Sequence, residues 1–310
     1  MARLRPGEPV PLRAPRRVPG GGGSPFLLAL TVAAFMVAVA PAESARAAAA
    51  GSGAAAGPPR AARAETVASA FPDVVPEPVS LPRQRAVARE PDRRWALVIG
   101  IDEYPGASRD LLLSAADARD TARALVRRLG FPRRQVRVLL NGEATAAAIR
   151  RSARWLASRT GEGGTSVLFY AGHAVQLRHL DGDREDVDEA ILAADGRLVP
   201  DGVLAGALEG SAGRMWLVVA ACHGAGFRDA LAPGRVLTAA SAENDLAYES
   251  DALGNSFLVE YVVGAGLLAN RSRTAEAAFR TGLAAMPGAY ARHRPLQLDR
   301  VAGPLSLVTP

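Results

Sequence analysis

From residue 94 onward, short apolar runs of strand length alternate with amphipathic stretches of helix length. Residues 95–101 read WALVIGI, a continuous apolar run that predicts a strand covered on both faces. Over 114–129, Ala118, Ala122, Leu125, Val126 and Leu129 share one helical face, while Arg119, Arg123 and Arg127 lie elsewhere. Gly130 then stands where a helix-ending glycine belongs. Residues 136–140 predict a second strand, 144–157 a second helix with Glu143 near its start, and 166–171 a third strand. The polar segment 181–189 (DGDREDVDE) predicts an exposed loop, and 190–193 a short strand. A helix over 201–209, strands over 215–221 and 235–240, and helices over 256–268 and 274–285 complete the pattern. Such alternation folds as one doubly wound α/β domain, with a mostly parallel sheet and helices on both faces.

The first 93 residues break this pattern. Residues 1–25 are rich in Arg, Pro and Gly, and 26–40 (FLLALTVAAFMVAVA) are apolar. Small residues follow, with A-x-A options at Ala40-Pro41-Ala42 and Ala45-Arg46-Ala47. A basic stretch, an apolar core and a small-residue site describe a signal peptide or N-terminal anchor over 1–47. The apolar run is shorter than the roughly 20 residues of a full membrane span. Residues 48–93 are Ala/Gly/Pro/Arg-rich without periodicity and read as a disordered linker. The expected organisation is therefore 1–47, 48–93 and a domain over 94–310, exported to the cell envelope or beyond.

Charge follows the same division. The net charge is +6, with no lysine. Residues 1–93 hold 12 of the 37 basic and 7 of the 31 acidic residues, so the leader carries +5 and the domain +1. Aromatics make up 5%. A domain without a basic, aromatic-interleaved patch argues against nucleic acid as a partner. Membrane contact is expected only at the N-terminal segment. A single cysteine excludes an intramolecular disulfide, so the fold must rest on its core.

That cysteine, Cys222, follows the predicted strand over 215–221 and precedes His223-Gly224-Ala225-Gly226. His173 stands just past the strand over 166–171. The C-terminal ends of parallel strands form the ligand crevice of an open α/β sheet. A thiolate attacks where a thiol does not, and an imidazole both lowers the thiol pKa and protonates a leaving amine. The pair therefore predicts a Cys/His hydrolase. The opposing reading of Cys222 is a small buried hydrophobe; its place past a strand end, before polar and glycine residues, speaks against that. His223 adjoins the cysteine, but neighbouring side chains on extended backbone point to opposite faces, so His173 is the preferred base. His179 and His293 read as surface residues. There is no H-E-x-x-H and no spaced Cys/His set, which argues against a zinc hydrolase.

Six short pieces recur in a telling order: Ala-Leu-Val-Ile-Gly-Ile-Asp-Glu-Tyr at 96–104, Ser-Ala-Ala-Asp-Ala at 114–118, Phe-Tyr-Ala-Gly-His at 169–173, Asp-Glu-Ala-Ile-Leu at 188–192, Ala-Cys-His-Gly at 221–224, and Leu-Thr-Ala-Ala-Ser at 237–241 with Ala-Tyr-Glu at 247–249. In that order and spacing the chain resembles the caspase-like cysteine peptidases (peptidase C14), nearest the metacaspases and bacterial caspase homologues. The resemblance implies a caspase-type three-layer α/β/α sandwich. It implies a cysteine endopeptidase in which His173 and Cys222 act through a thioester acyl-enzyme on protein or peptide substrates. The backbone N–H groups of Ala174 and Cys222 would form the oxyanion hole. The chemistry requires no cofactor.

Departures from the family pattern bear on specificity. Metacaspases typically read Ser-Gly-His-Gly where this chain has Ala171-Gly172-His173-Ala174. They usually carry Asp two residues before the cysteine, where this chain has Ala220. That Ser, that Asp and the Asp of an Asn-Asp-Ala motif together bind a basic P1 side chain. Only the last persists, as Asp117, the candidate substrate-binding residue for cleavage after Arg; the other reading of Asp117 is a solvated helix charge. In calcium-dependent metacaspases, acidic residues near the site bind Ca²⁺. The matching positions are Asp188, Pro200, Asp201 and Asp229, so Asp188, Asp201 and Asp229 form a candidate Ca²⁺ set, against a solvated acidic loop. Two other functions fit the same residues: a catalytically inactive caspase-like binding module and a transpeptidase-like Cys enzyme. Arg178, Arg184 and the linker arginines are candidate self-cleavage sites, and the oligomeric state is open.

Overall fold

The computed structural model describes residues 2–3, 92–106, 110–179, 186–291 and 295–309. The predicted leader and linker fall outside them except for residues 2–3 and 92–93, as do Arg184 and His293. A pairing of residues 2–3 with 248–249 aside, the elements run in chain order. They are β1 (Arg94–Gly100), α1 (Ser114–Arg127), β2 (Val136–Leu140), α2 (Ala146–Arg159) and β3 (Thr165–Ala171), then β4 (Ala174–Leu177), β5 (Asp188–Leu192), β6 (Leu198–Pro200) and α3 (Asp201–Ala207). There follow β7 (Arg214–Ala220), β8 (Arg235–Ala239), β9 (Tyr248–Ser250), β10 (Asn255–Ser256), the helix α4 (Val259–Ala269), α5 (Ala275–Ala285) and β11 (Leu296–Asp299).

Six of these strands form the central sheet in the order β11-β8-β7-β3-β1-β2. All neighbours are parallel except β11, which runs antiparallel to β8. The central strands read as unbroken apolar runs because both faces are covered. On one face Leu97, Ile99, Leu168 and Leu217 pack against Ile149 and Leu156 of α2 and Leu204 of α3. On the other, Val98, Val167, Phe169 and Trp216 pack against α1, α4 and α5 through Leu125, Val262 and Ala278. The architecture is a three-layer α/β/α sandwich.

Local chemistry sets the helix ends. Thr145 caps α2 by accepting the Ala148 N–H. Gly130, at φ 72°, turns the chain after α1. The carbonyls of Leu129 and Gly130 there receive the Arg94 guanidinium, a cation at a helix C-terminus. Gly100 lets α1 approach β1, since a Cβ there would stand 2.4 Å from the Ser114 carbonyl oxygen.

Every predicted strand and helix after residue 94 is present, with ends moved by a turn or less. The acidic segment is a correction. It was expected to be exposed through 189, yet Asp188 and Glu189 are buried and begin β5. β5 pairs antiparallel with β4 and β6 in a separate three-stranded sheet. Across it the Gln176 amide donates to Glu189 Oε1 at 2.8 Å, which lets a carboxylate face inward.

Candidate active site

β3 and β7 are adjacent and in register, with Ala171 opposite Ala220. His173 and Cys222 each stand two residues past that matched pair. Neighbouring strands lie about 4.8 Å apart, so the two side chains leave the sheet from adjacent strand ends. Sequence reasoning anticipated this pairing of strands.

Cys222 is 7% exposed. Its loop is held by the segment that follows β8. Ser241 Oγ accepts the Gly224 N–H at 3.3 Å and donates to the Ala221 carbonyl at 3.2 Å. The Ala225 N–H donates to the Ser241 carbonyl, and the His223 N–H to the Asp245 carbonyl. Cys222 Sγ accepts the Ala247 N–H at 3.4 Å. These bonds give the apolar piece at 237–241 its physical meaning, because its last residue buttresses the cysteine turn. His223 requires a correction. Its backbone is left-handed, at φ 58°, rather than extended. Its Nδ1 lies 2.8 Å from the Glu243 carbonyl, so that nitrogen is the donor and the ring is anchored to 241–247.

His173 is half-buried and held at both of its peptide groups. Its N–H donates to the Tyr104 hydroxyl at 2.8 Å, and its carbonyl accepts from the Tyr170 hydroxyl at 2.6 Å. The Leu192 N–H also donates to that carbonyl, at 3.0 Å. The Tyr104 and His173 rings pack with centroids 4.8 Å apart. In an antiparallel ladder, hydrogen-bonded and non-hydrogen-bonded pairs alternate. The bond between Leu192 and His173 therefore makes Ala174 and Ile191 a non-hydrogen-bonded pair, and the Ala174 N–H points away from β5.

Asp117 is wholly buried on α1, which corrects the reading of it as a solvated helix charge. Its Oδ1 accepts from the Asn255 amide at 2.9 Å and the Ser256 N–H at 3.0 Å. Oδ2 has no hydrogen-bond partner among the described residues. Burial pushes its pKa up to about 7; the two hydrogen bonds oppose that shift and the charge of Glu249 adds to it. Glu249 is buried as well and stands across the β9–β10 pairing from Ser256. Sequence reasoning missed this second carboxylate, since nothing in Ala-Tyr-Glu tells that the glutamate lies 132 positions along the chain yet beside Asp117.

The three candidate calcium ligands fare differently. Asp188 begins β5 and Asp201 follows β6, its pairing partner, and both are buried; Asp229 is exposed in the loop beyond the cysteine. Among the described residues no group of three or more His, Cys, Asp and Glu side chains gathers as a metal site needs. His179 is exposed, as expected, and so is Arg178.

Comparison with known proteins points to one family. A family model described as the caspase domain matches residues 93–301. Metacaspase-4 of Arabidopsis thaliana is 29% identical over 143 residues, 43% of this chain and 34% of that protein. Metacaspase-1A of Neurospora crassa is 31% identical over 121 residues, 35% of this chain and 26% of that protein. The chain thus spans about a third or less of the length of these curated relatives. A solved structure of a Geobacter sulfurreducens protein aligns with a TM-score of 0.55 at 19% identity, covering 68% of this chain and 94% of that one.

Proposed function

Since the chain belongs to the caspase-domain family, we propose that it is a cysteine endopeptidase in which His173 and Cys222 hydrolyse peptide bonds. The carrying observation is the register of β3 on β7, which brings one histidine and the one cysteine to adjacent strand ends. His173 takes the thiol proton. The thiolate attacks the scissile carbonyl carbon, and the oxygen becomes an oxyanion. Collapse forms the thioester and breaks the C–N bond while imidazolium protonates the leaving amine; water, activated by the same imidazole, then releases the acid. Two N–H groups are suited to the oxyanion. That of Ala174 is turned from its ladder, and that of Cys222 makes no hydrogen bond among the described residues.

The preferred substrate carries Arg at P1. The family's usual polar partners are replaced by Ala171 and Ala220, but Asp117 keeps an oxygen with no described partner and Glu249 adds a second carboxylate beside it. Two carboxylates suit a guanidinium, whose charge also relieves their mutual repulsion. Calcium enters only as an outside regulator through Asp188 and Asp201; loss of cleavage on chelation, restored by added Ca²⁺, would support that role. The leader over 1–47 would export the chain.

A peptidyl electrophile with Arg at P1 tests the reading. Full-length protein is expected to gain one adduct on Cys222, at a rate that falls steeply in His173→Ala. A folded protein whose Cys222 stays unmodified would point to an inactive binding module instead.

A further inference from the structure

We propose that Tyr104 and Tyr170 are positioning residues whose hydroxyls fix the main chain of His173 and thereby the aim of its imidazole. The inference rests on the dyad reading above. A base that pairs with a nucleophile needs a third group to orient it. Here the grip is on the backbone. The N–H of His173 ends on one phenol and its carbonyl on the other, at 2.8 and 2.6 Å. The two hydroxyls thus hold His173 from both sides, one at each peptide group. With both flanking peptide groups held, φ and ψ of His173 are set, and so is the direction of its Cα–Cβ bond. The Tyr104 ring, 4.8 Å from the imidazole and tilted 50° to it, limits the remaining side-chain rotation.

The neighbouring residue shows how closely the two hydroxyls approach this stretch of backbone. A Cβ on Gly172 would stand 2.5 Å from the Tyr170 hydroxyl and 2.6 Å from that of Tyr104. Any larger residue between Ala171 and His173 would force the two phenols apart. Tyr104 enters from the loop after β1 and Tyr170 from β3, so the two bonds to His173 also tie two adjacent strands at the site. Burial raises both hydroxyls above the ordinary tyrosine range. They stay protonated wherever a thiol and an imidazole titrate, and the clamp does not change with pH. A change in the pH behaviour of Cys222 therefore reports the geometry of the dyad, not titration of the clamp.

The test uses full-length wild type, Tyr104→Phe, Tyr170→Phe, the double variant and His173→Ala. Three quantities are read: kcat and KM on an Arg-containing peptide, the pH dependence of Cys222 alkylation by iodoacetamide, and the thermal midpoint. Tyr104→Phe is expected to lower kcat by about 10-fold to 100-fold, as small misplacements of catalytic groups do, with KM changed by less than about twofold. Its alkylation profile should lose part of the low-pH limb that His173 confers. The double variant should cost more than either single variant but less than the product of the two, because both bonds act on one residue. A Tyr104→Phe protein with a lower thermal midpoint but unchanged kcat and alkylation profile would overturn the proposal, leaving the tyrosines a purely structural role. Should Tyr104→Phe not fold, Tyr170→Phe alone carries the same readouts. If wild type and His173→Ala share one alkylation profile, the dyad reading itself fails and the clamp falls with it. If they differ and Tyr104→Phe follows wild type, only the clamp is wrong.

Discussion

At Asp117 two demands meet in one carboxyl group. It is wholly buried and raised to about 7, first by burial and further by Glu249. The ordinary carboxyl value is 3.8. Because the folded value lies above the unfolded one, the folded state binds the extra proton between those pH values. Stability is therefore full below about pH 4 and falls as pH rises through 7. Asp117→Asn keeps an acceptor for Asn255 and Ser256 and never ionises. Its thermal midpoint relative to wild type should increase steadily from pH 4 to pH 8; a constant difference would contradict the assignment. The same substitution, and Glu249→Gln, should each lower kcat/KM for Arg at P1 by about tenfold or more while sparing peptides with neutral P1, since a charge-assisted hydrogen bond contributes about 1.5–3 kcal/mol. At this scale the chain disclosed its chemistry unevenly. His173, Cys222 and Asp117 stand out in the sequence as candidates because strand ends and the pieces at 114–118, 169–173 and 221–224 mark them. Glu249 does not, because its nearness to Asp117 comes from tertiary packing. The left-handed backbone of His223 was also hidden, since histidine carries no turn signal.

Among the elements, the antiparallel edge strand β11 joins an otherwise parallel sheet through a buried threonine. The Trp216 indole N–H donates to Thr238 Oγ1 at 2.8 Å, and the Gln297 amide donates to the same oxygen at 2.7 Å. Trp216 and Thr238 are buried. Thr238→Val keeps the shape and leaves the Trp216 indole N–H without its acceptor, while the Gln297 amide keeps its bond to the Ala275 carbonyl. It should lower unfolding free energy by about 1–3 kcal/mol, the cost of an unsatisfied buried polar group, as read by urea titration. Unchanged stability would mean that water or another acceptor replaces the threonine. The inner parallel strands β1, β3 and β7 were legible because each carries a continuous apolar run. β4, β6, β9, β10 and β11 were not, being short, mixed in polarity and set by pairing instead of periodicity. The acidic 181–189 segment misled for a related reason. Its last two carboxylates are carried inward by β5, and pattern alone cannot foresee the Gln176 partner of Glu189.

Over the whole molecule, residues 94–310 are nearly neutral and residues 1–93 hold most of the net charge. The proposed export predicts a mature N-terminus after Ala42 or Ala47 when the full chain is produced in a secreting host. Mass spectrometry of the exported protein would read it, and an intact N-terminus would favour an anchor. Within the domain, the sheet aligns two strand ends, segment 241–247 buttresses the cysteine turn, and two tyrosines grip the histidine backbone. All of this converges on one thiol. The most direct measurement is cleavage of a positional peptide library by full-length wild type and Cys222→Ala side by side. The account predicts cuts enriched after Arg in wild type and none above background in Cys222→Ala. A Cys222→Ala protein that cuts the library as fast as wild type would contradict it.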